Sequence, residues 1–170
     1  MPTPIGHGLA GLAVAGVFRR SGDLSQVQVS TLAFLAAAPD LDLVLRLVDG
    51  ANHHRGPSHS LGAALVAGLA AWALRRLGID WLPGSLAAAL AWASHVALDY
   101  LGLDTSPPVG EMALWPLSNS FFASPVSVFY DVPRSFSAEA IQHNILAVTI
   151  EIAILGPVAF VCLRRRDPRG

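Results

Sequence analysis

Five apolar blocks divide the chain. They run from about Pro4 to Phe18, Val27 to Ala38, Leu61 to Leu74, Leu82 to Leu101 and Ile145 to Leu163. The second can continue through LDLVLRLV to Val48. The last two approach the roughly 20 residues that a spanning helix needs, and the first three are shorter. A helix of about 15 residues is about 22 Å long at 1.5 Å per residue. That is less than the roughly 30 Å hydrocarbon core. Short spans thin the bilayer or hold their polar ends below the headgroup plane. The pattern predicts an all-α fold: a polytopic membrane helix bundle of about five apolar helices, with residues 1–170 as a single domain. A soluble bundle with buried core helices is the alternative.

Between the fourth and fifth blocks lies Asp104 to Ala140. It carries five prolines, together with Trp115, Phe121, Phe122, Phe129 and Tyr130. Trp and Tyr favour membrane interfaces, and irregular stretches of this length are usually functional or disordered. This segment is expected to be a lid or interfacial loop on the outer side.

Composition strengthens the membrane reading. The chain is 53% hydrophobic and 14% charged, with mean hydropathy +0.51. Soluble domains carry about 25% charged residues. A net charge of -1 argues against a nucleic-acid partner, which requires a basic surface. Cys162 is the single cysteine and cannot form an internal disulfide. The opening MPTPIGHGLAGLAVAGVFRR lacks a basic segment before its apolar run. It reads as a retained helix and not as a signal peptide.

All eleven basic residues are arginine. Eight follow the first, third and fifth blocks: Arg19 and Arg20, Arg75 and Arg76, then Arg164, Arg165, Arg166 and Arg169. The positive-inside rule makes that side cytoplasmic. The N-terminus then lies outside and the C-terminus inside, in an inner membrane. The RRRDPR tail is an orientation signal or a contact for anionic lipid. Arg46, Arg55 and Arg134 fall in outer segments. So do all six histidines and Asp40, Asp42, Asp99 and Asp104. One site built from several helix ends would need such clustering.

Three stretches carry the candidate chemistry. In SHVALDYL, His95 and Asp99 are four apart, hence on one helical face. Both can bind one metal, or Asp99 can orient the imidazole; an interhelical polar contact is the plainer alternative. In APDLD, Asp40 and Asp42 point apart on a regular helix, but a break at Pro39 can converge them. Asp40 can equally be a helix cap. In HHRGPSHS, a turn at Gly56 and Pro57 can bring His54 and His59 together as metal donors. Ser58 or Ser60 can cap the following helix. Arg55 suits an anionic substrate, since guanidinium matches phosphate geometry. A solvated turn is the alternative.

His7, in GHGLAG, is a further candidate ligand, whereas His53 and His143 read as outer-surface residues. Glu151 lies within the fifth block and has either a direct role or a bond to a neighbouring helix. The glycines of the first and third blocks suit close helix packing. No G-x-S-x-G elbow, phosphate-binding glycine loop or CxxC pair is present.

The ordered set PDLD, HRGPSHS and SHVALDYL, followed by LWP at Leu114 to Pro116, resembles the YdjM-like family. That family comprises inner-membrane proteins described as metal-dependent hydrolases and as LexA-binding. Its pattern has an early His, a P-D-x-D, an H-R-x-x-S/T-H-S and an H-x-x-x-D. His7, Asp40, Asp42, His54, Arg55, His59, Ser60, His95 and Asp99 match it. The resemblance spans His7 to about Leu117, so His143 and Glu151 inherit nothing from it. The donor types are also similar to those of the all-helical zinc phospholipases C.

The resemblance implies a membrane-bound metal-dependent hydrolase holding one or two divalent ions, zinc by donor type. His7, Asp40, Asp42, His54, His59, His95 and Asp99 would be the ligands. A non-ligating Asp of the Asp40/Asp42 pair would take the proton of water, and Arg55 would stabilise phosphoryl charge. Membrane lipids would surround it, with a phosphoester or lipid-linked substrate. A non-enzymatic metal-binding scaffold or partner-docking protein is the rival reading. A LexA-type partner is cytosolic and sits awkwardly with chemistry on the outer face.

Overall fold

The computed structural model describes residues 1–21 and 24–164. Its helices are α1 (Pro4–Ser21), α2 (Gln26–Ala37), α3 (Asp42–Asp49), α4 (Leu61–Arg76), α5 (Ser85–Tyr100) and α6 (Ala138–Leu163). A four-residue 3₁₀ turn, Ala38–Leu41, joins α2 to α3. The fold is all-helical; among the described residues only the isolated bridges Gly102–Phe129 and Glu111–Phe122 are β-like.

Local chemistry sets the boundaries. Ser25 and Gln28 form a capping box that starts α2, satisfying two backbone donors at once. Pro39 then breaks the second apolar block, and the helix resumes at Asp42. Gly50 ends α3 at φ +73°, a conformation open to glycine without steric cost. Ser60 caps α4 by accepting from the Ala63 amide. The fourth block is shorter as a helix than its apolar run. Leu82, Pro83 and Gly84 stay outside it, leaving 16 residues, about 24 Å. The fifth block is longer. Ser137 caps it and α6 has 26 residues, about 39 Å. His143 is therefore inside α6, not ahead of it.

Helix α1 is the hub, packing on α6, α2 and α5, while α4 packs on α5. Small residues permit the approach. A Cβ on Gly11 would meet the Leu32 carbonyl at 2.5 Å, and one on Gly16 would overlap the Cys162 backbone. Ala15, Val29, Leu32, Ala36, Ala87 and Ala91 form the inner core. Gly6 lies against Glu151 and Gly16 against Cys162, so α1 and α6 run parallel. Glu151 accepts from the Thr3 amide (2.8 Å), the Thr3 hydroxyl (2.5 Å) and the Gly6 amide (3.1 Å). It is an interhelical clasp on the first turn of α1, whose amides lack intrahelical partners.

The bundle has two unlike ends. At one, Arg75 and Gln28 both bond the carbonyls of Asp80 and Leu82. Arg76 closes α4 there, and Arg164 follows α6. Arg165, Arg166 and Arg169 lie outside the described residues. The other end gathers the start of α1, the end of α2, the loop before α4 and the end of α5. The segment from 103 to 137 drapes over it. Leu103 and Phe129 bond at 2.8 Å, Met112 donates to the Arg55 carbonyl at 3.0 Å, and Leu61 donates to Ala113 at 3.0 Å.

Outer faces stay apolar: Leu65, Val66, Leu69, Leu86, Ile145 and Phe160 are exposed. Among the described residues, α6 is the one helix long and apolar enough to cross a membrane by length and composition.

Candidate metal centre

The polar end of the bundle is buried. His7, His59 and His95 are fully enclosed, and His54, Asp42 and Asp99 nearly so. Four elements deliver them: His7 from α1, Asp40 and Asp42 from the Pro39 break, His54 and His59 from the loop, and His95 and Asp99 from α5. Tryptophan steadies the loop, since the Trp92 indole donates to the Ser58 carbonyl at 2.8 Å.

The donors form two adjoining groups. His7, His95 and Asp99 make one, and Asp40, His54 and His59 the other, each with ligand atoms within 4.8 Å of one another. Asp99 Oδ1 is 3.3 Å from His7 Nε2, and Asp99 Oδ2 is 3.3 Å from His95 Nε2. His59 Nε2 is 3.5 Å from Asp99 Oδ2 and 3.6 Å from Asp40 Oδ1. His95 Nε2 is 3.8 Å from Asp40 Oδ1. His7 stacks on His95 at 3.7 Å.

Each ring of three has its Nδ1 occupied. His95 Nδ1 meets the Ala36 carbonyl at 2.8 Å. His54 Nδ1 is 2.9 Å from Asp42 Oδ1, and His59 Nδ1 is 3.2 Å from Asp42 Oδ2. The Nε2 atoms of His54, His59, His95 and His7 and both Asp99 oxygens are buried with no hydrogen-bond partner. Buried polar groups normally find partners. A ring fixed through Nδ1 with a free Nε2 is the usual preparation for metal ligation. A tetrahedron with donors about 2.0 Å from its centre has edges of about 3.3 Å, which the Asp99 contacts match. The residues therefore fit a divalent ion.

Asp42 stands apart from the ligand groups. Its oxygens engage both rings and the Ser58 hydroxyl, at 2.7 Å for the latter. It positions His54 and His59. Ser58 thus bonds Asp42, while Ser60 is the helix cap. Burial favours a neutral Asp42, but hydrogen bonds from His54 and His59 outweigh it and lower its pKa. Asp40 is lowered likewise: the nearby His59 ring and the charges of His95 and His7 overcome burial. Burial disfavours charge on His59 too, yet the neighbouring Asp40 and Asp42 carboxylates raise it to about 9.

Arg55 lies beside the centre in an unusual backbone state, φ +67°, costly for a residue with a Cβ. It is buried, paired with Asp104 and donates to the Ser106 carbonyl at 3.1 Å. The guanidinium suited to an anionic substrate is thus also engaged within the protein. His53 is half-exposed and pairs with Asp49 at 2.5 Å. His143 contacts Asp131 at 3.0 Å, away from the donors.

Glu111 escapes the motif reading. It is 1% exposed, and neither carboxyl oxygen has a partner. Burial, then the charge of Asp99, raises it to about 9, against His59 and Arg55. It sits alone in the irregular segment, with no neighbour at helical spacing to mark it. A cleft of about 800 Å³ opens onto Asp40, His54 and Arg55.

The family model described as YdjM inner membrane protein matches residues 1–165. The chain belongs to the YdjM family. The match runs beyond Leu117, where the motif resemblance stops, and takes in α6 with Glu151. No curated protein and no solved structure matches this YdjM-family chain. An inner-membrane family accords with the apolar exterior and with α6. The paired donor groups give this member of the YdjM family buried residues that can hold a metal ion.

Proposed function

We propose that this YdjM-family chain is a multi-pass membrane hydrolase that cuts a phosphoester or lipid-linked substrate with the help of zinc, at one or two positions. The observation that carries this reading is the convergence of unpartnered, buried Nε2 atoms and Asp99 oxygens beside an open cleft. His7, His95 and Asp99 would hold one ion, and Asp40, His54 and His59 a second. When bound, such an ion supplies Lewis acidity, making water nucleophilic near neutral pH.

The chain's own residues do the rest. Asp42 and the Ala36 carbonyl hold the rings. With one ion held by His7, His95 and Asp99, Asp40 stays unligated, borders the cleft and is the carboxylate placed to accept a proton from attacking water. Asp42, saturated by three partners, is not free for that task. Arg55 lines the cleft wall paired with Asp104, so a phosphoryl group developing negative charge there would compete with that carboxylate for the guanidinium. Water's oxygen forms the new bond to phosphorus, the ester P–O bond breaks, and the leaving oxygen takes the proton that Asp40 removed from water.

In this reading α1, α2, α4, α5 and α6 cross the membrane, with the arginine end cytoplasmic by the positive-inside rule and the metal centre outside. A reporter on the C-terminus tests that orientation; an external C-terminus contradicts it. For chemistry, the detergent-purified protein is assayed for bound metal and for turnover of phosphodiesters and phospholipids. His59→Ala and Asp99→Asn should lose both. Stoichiometric metal without turnover on a broad panel favours the scaffold reading and rejects the enzyme.

A further inference from the structure

The three arginines left over from the cytoplasmic end share one location. Arg46, Arg55 and Arg134 all line the cleft beside the centre. Its carboxylates are engaged: Asp40 with His59, Asp104 with Arg55, and Asp131 with His143 and Thr105. Arg46 and Arg134 are exposed and have no ion pair among the described residues. The mouth of the cleft therefore presents unspent positive charge.

Two apolar grooves join this cleft. One, about 530 Å³, runs along α2 from Phe34 through Val27 to Trp81 and Leu82. Phe34 belongs to both cleft and groove. The other, about 550 Å³, runs along α6 from Pro133 and Arg134 past Ile141 and Ile145 to Thr149. Pro133 and Arg134 belong to both. Each groove covers eight helical steps, Gln26 to Phe34 and Ile141 to Thr149, about 12 Å. Both lead away from the polar end over exposed apolar faces: Val27, Phe34, Trp81, Ile141 and Ile145 are all exposed.

We infer that the cleft and its two grooves bind one anionic lipid, its phosphate head beneath Arg46 and Arg134 and its two hydrocarbon chains along α2 and α6. This rests on the proposed hydrolase reading only for which bond is cut. Charge complementarity selects the head. The lining that the cleft shares with both grooves favours an amphiphile over a soluble phosphate, since buried methylenes contribute only where chains can lie. The geometry makes Arg46 and Arg134 the residues that determine head specificity.

The test is ligand binding by the zinc-loaded full chain in detergent, read by native mass spectrometry. Four probes are titrated: dioleoyl phosphatidic acid, dihexanoyl phosphatidic acid, glycerol phosphate and dioleoyl phosphatidylcholine. Saturable binding of one dioleoyl phosphatidic acid per chain is expected, with the other three at least tenfold weaker. Arg46→Gln combined with Arg134→Gln should weaken it at least tenfold with metal content unchanged. Thr31→Trp with Val148→Trp, filling the grooves, should reduce the dioleoyl lipid to the level of the dihexanoyl one. Equal binding of glycerol phosphate, or indifference to the arginine pair, overturns the inference. Saturable lipid binding without turnover removes the hydrolase reading and leaves the lipid site. Turnover of soluble phosphodiesters without saturable lipid binding does the reverse.

Discussion

Replacing Asp42 separates a ligand from a positioning residue. Its two oxygens reach two imidazoles, at 2.9 Å to His54 Nδ1 and 3.2 Å to His59 Nδ1. Losing such an orienting partner typically weakens metal binding 10- to 100-fold. Asp42→Ala frees both rings and falls at the upper end, about 100-fold or ~2.7 kcal/mol. Asp42→Asn keeps one accepting oxygen, so one ring stays held and the loss is about tenfold. His59→Ala, by contrast, deletes a donor outright. The assay is competition for zinc against a chelator of known affinity, with helical circular dichroism as the folding control. If Asp42→Asn abolishes binding as completely as His59→Ala, Asp42 is a ligand and the positioning argument fails. Wild-type affinity in Asp42→Ala would sink it from the other side.

Three further outcomes are expected. Since the His59 pKa is raised to about 9 in the metal-free protein, a metal must displace its proton; zinc affinity should rise with pH until about 9, with proton release on binding measurable in weak buffer. Glu111 has a folded pKa of about 9 against an ordinary 4.5, so the native state binds more protons between those values. Wild-type stability should therefore fall as pH rises through that window, and Glu111→Gln should flatten the thermal-denaturation profile; an unchanged slope refutes the neutral buried carboxyl. Glu151→Ala removes the acceptor of two backbone amides and the Thr3 hydroxyl, at about 3 kcal/mol, and should lower the melting temperature in detergent.

The sequence was most readable where polarity is rare. Paired carboxylates and imidazoles inside an Ala/Leu chain stand out, and PDLD, HRGPSHS and SHVALDYL supply all but one of the gathered donors. His7, a lone imidazole with no spacing to mark it, is legible through the early His of the family resemblance. The division of labour within PDLD was not readable: it depends on a 3₁₀ turn that sends Asp40 to the cleft and Asp42 to the rings. The Ala36 carbonyl that fixes His95 has no side-chain signature at all. The pairing of Arg55 with Asp104 is not legible in the sequence, because the two lie 49 positions apart. The start of α6 was overlooked because AEAIQHN is polar on its face, although Ser137 ahead of it is a legible cap.

The clasp at Glu151 has a consequence for how the protein is made. Helix α1 carries His7 in the turn that Glu151 secures, and Glu151 belongs to α6, the last helix among the described residues. A chain cut before residue 151 would possess every candidate donor yet leave its opening turn untethered. The turn that carries His7 is thus secured only once the helix bearing Glu151 is in place.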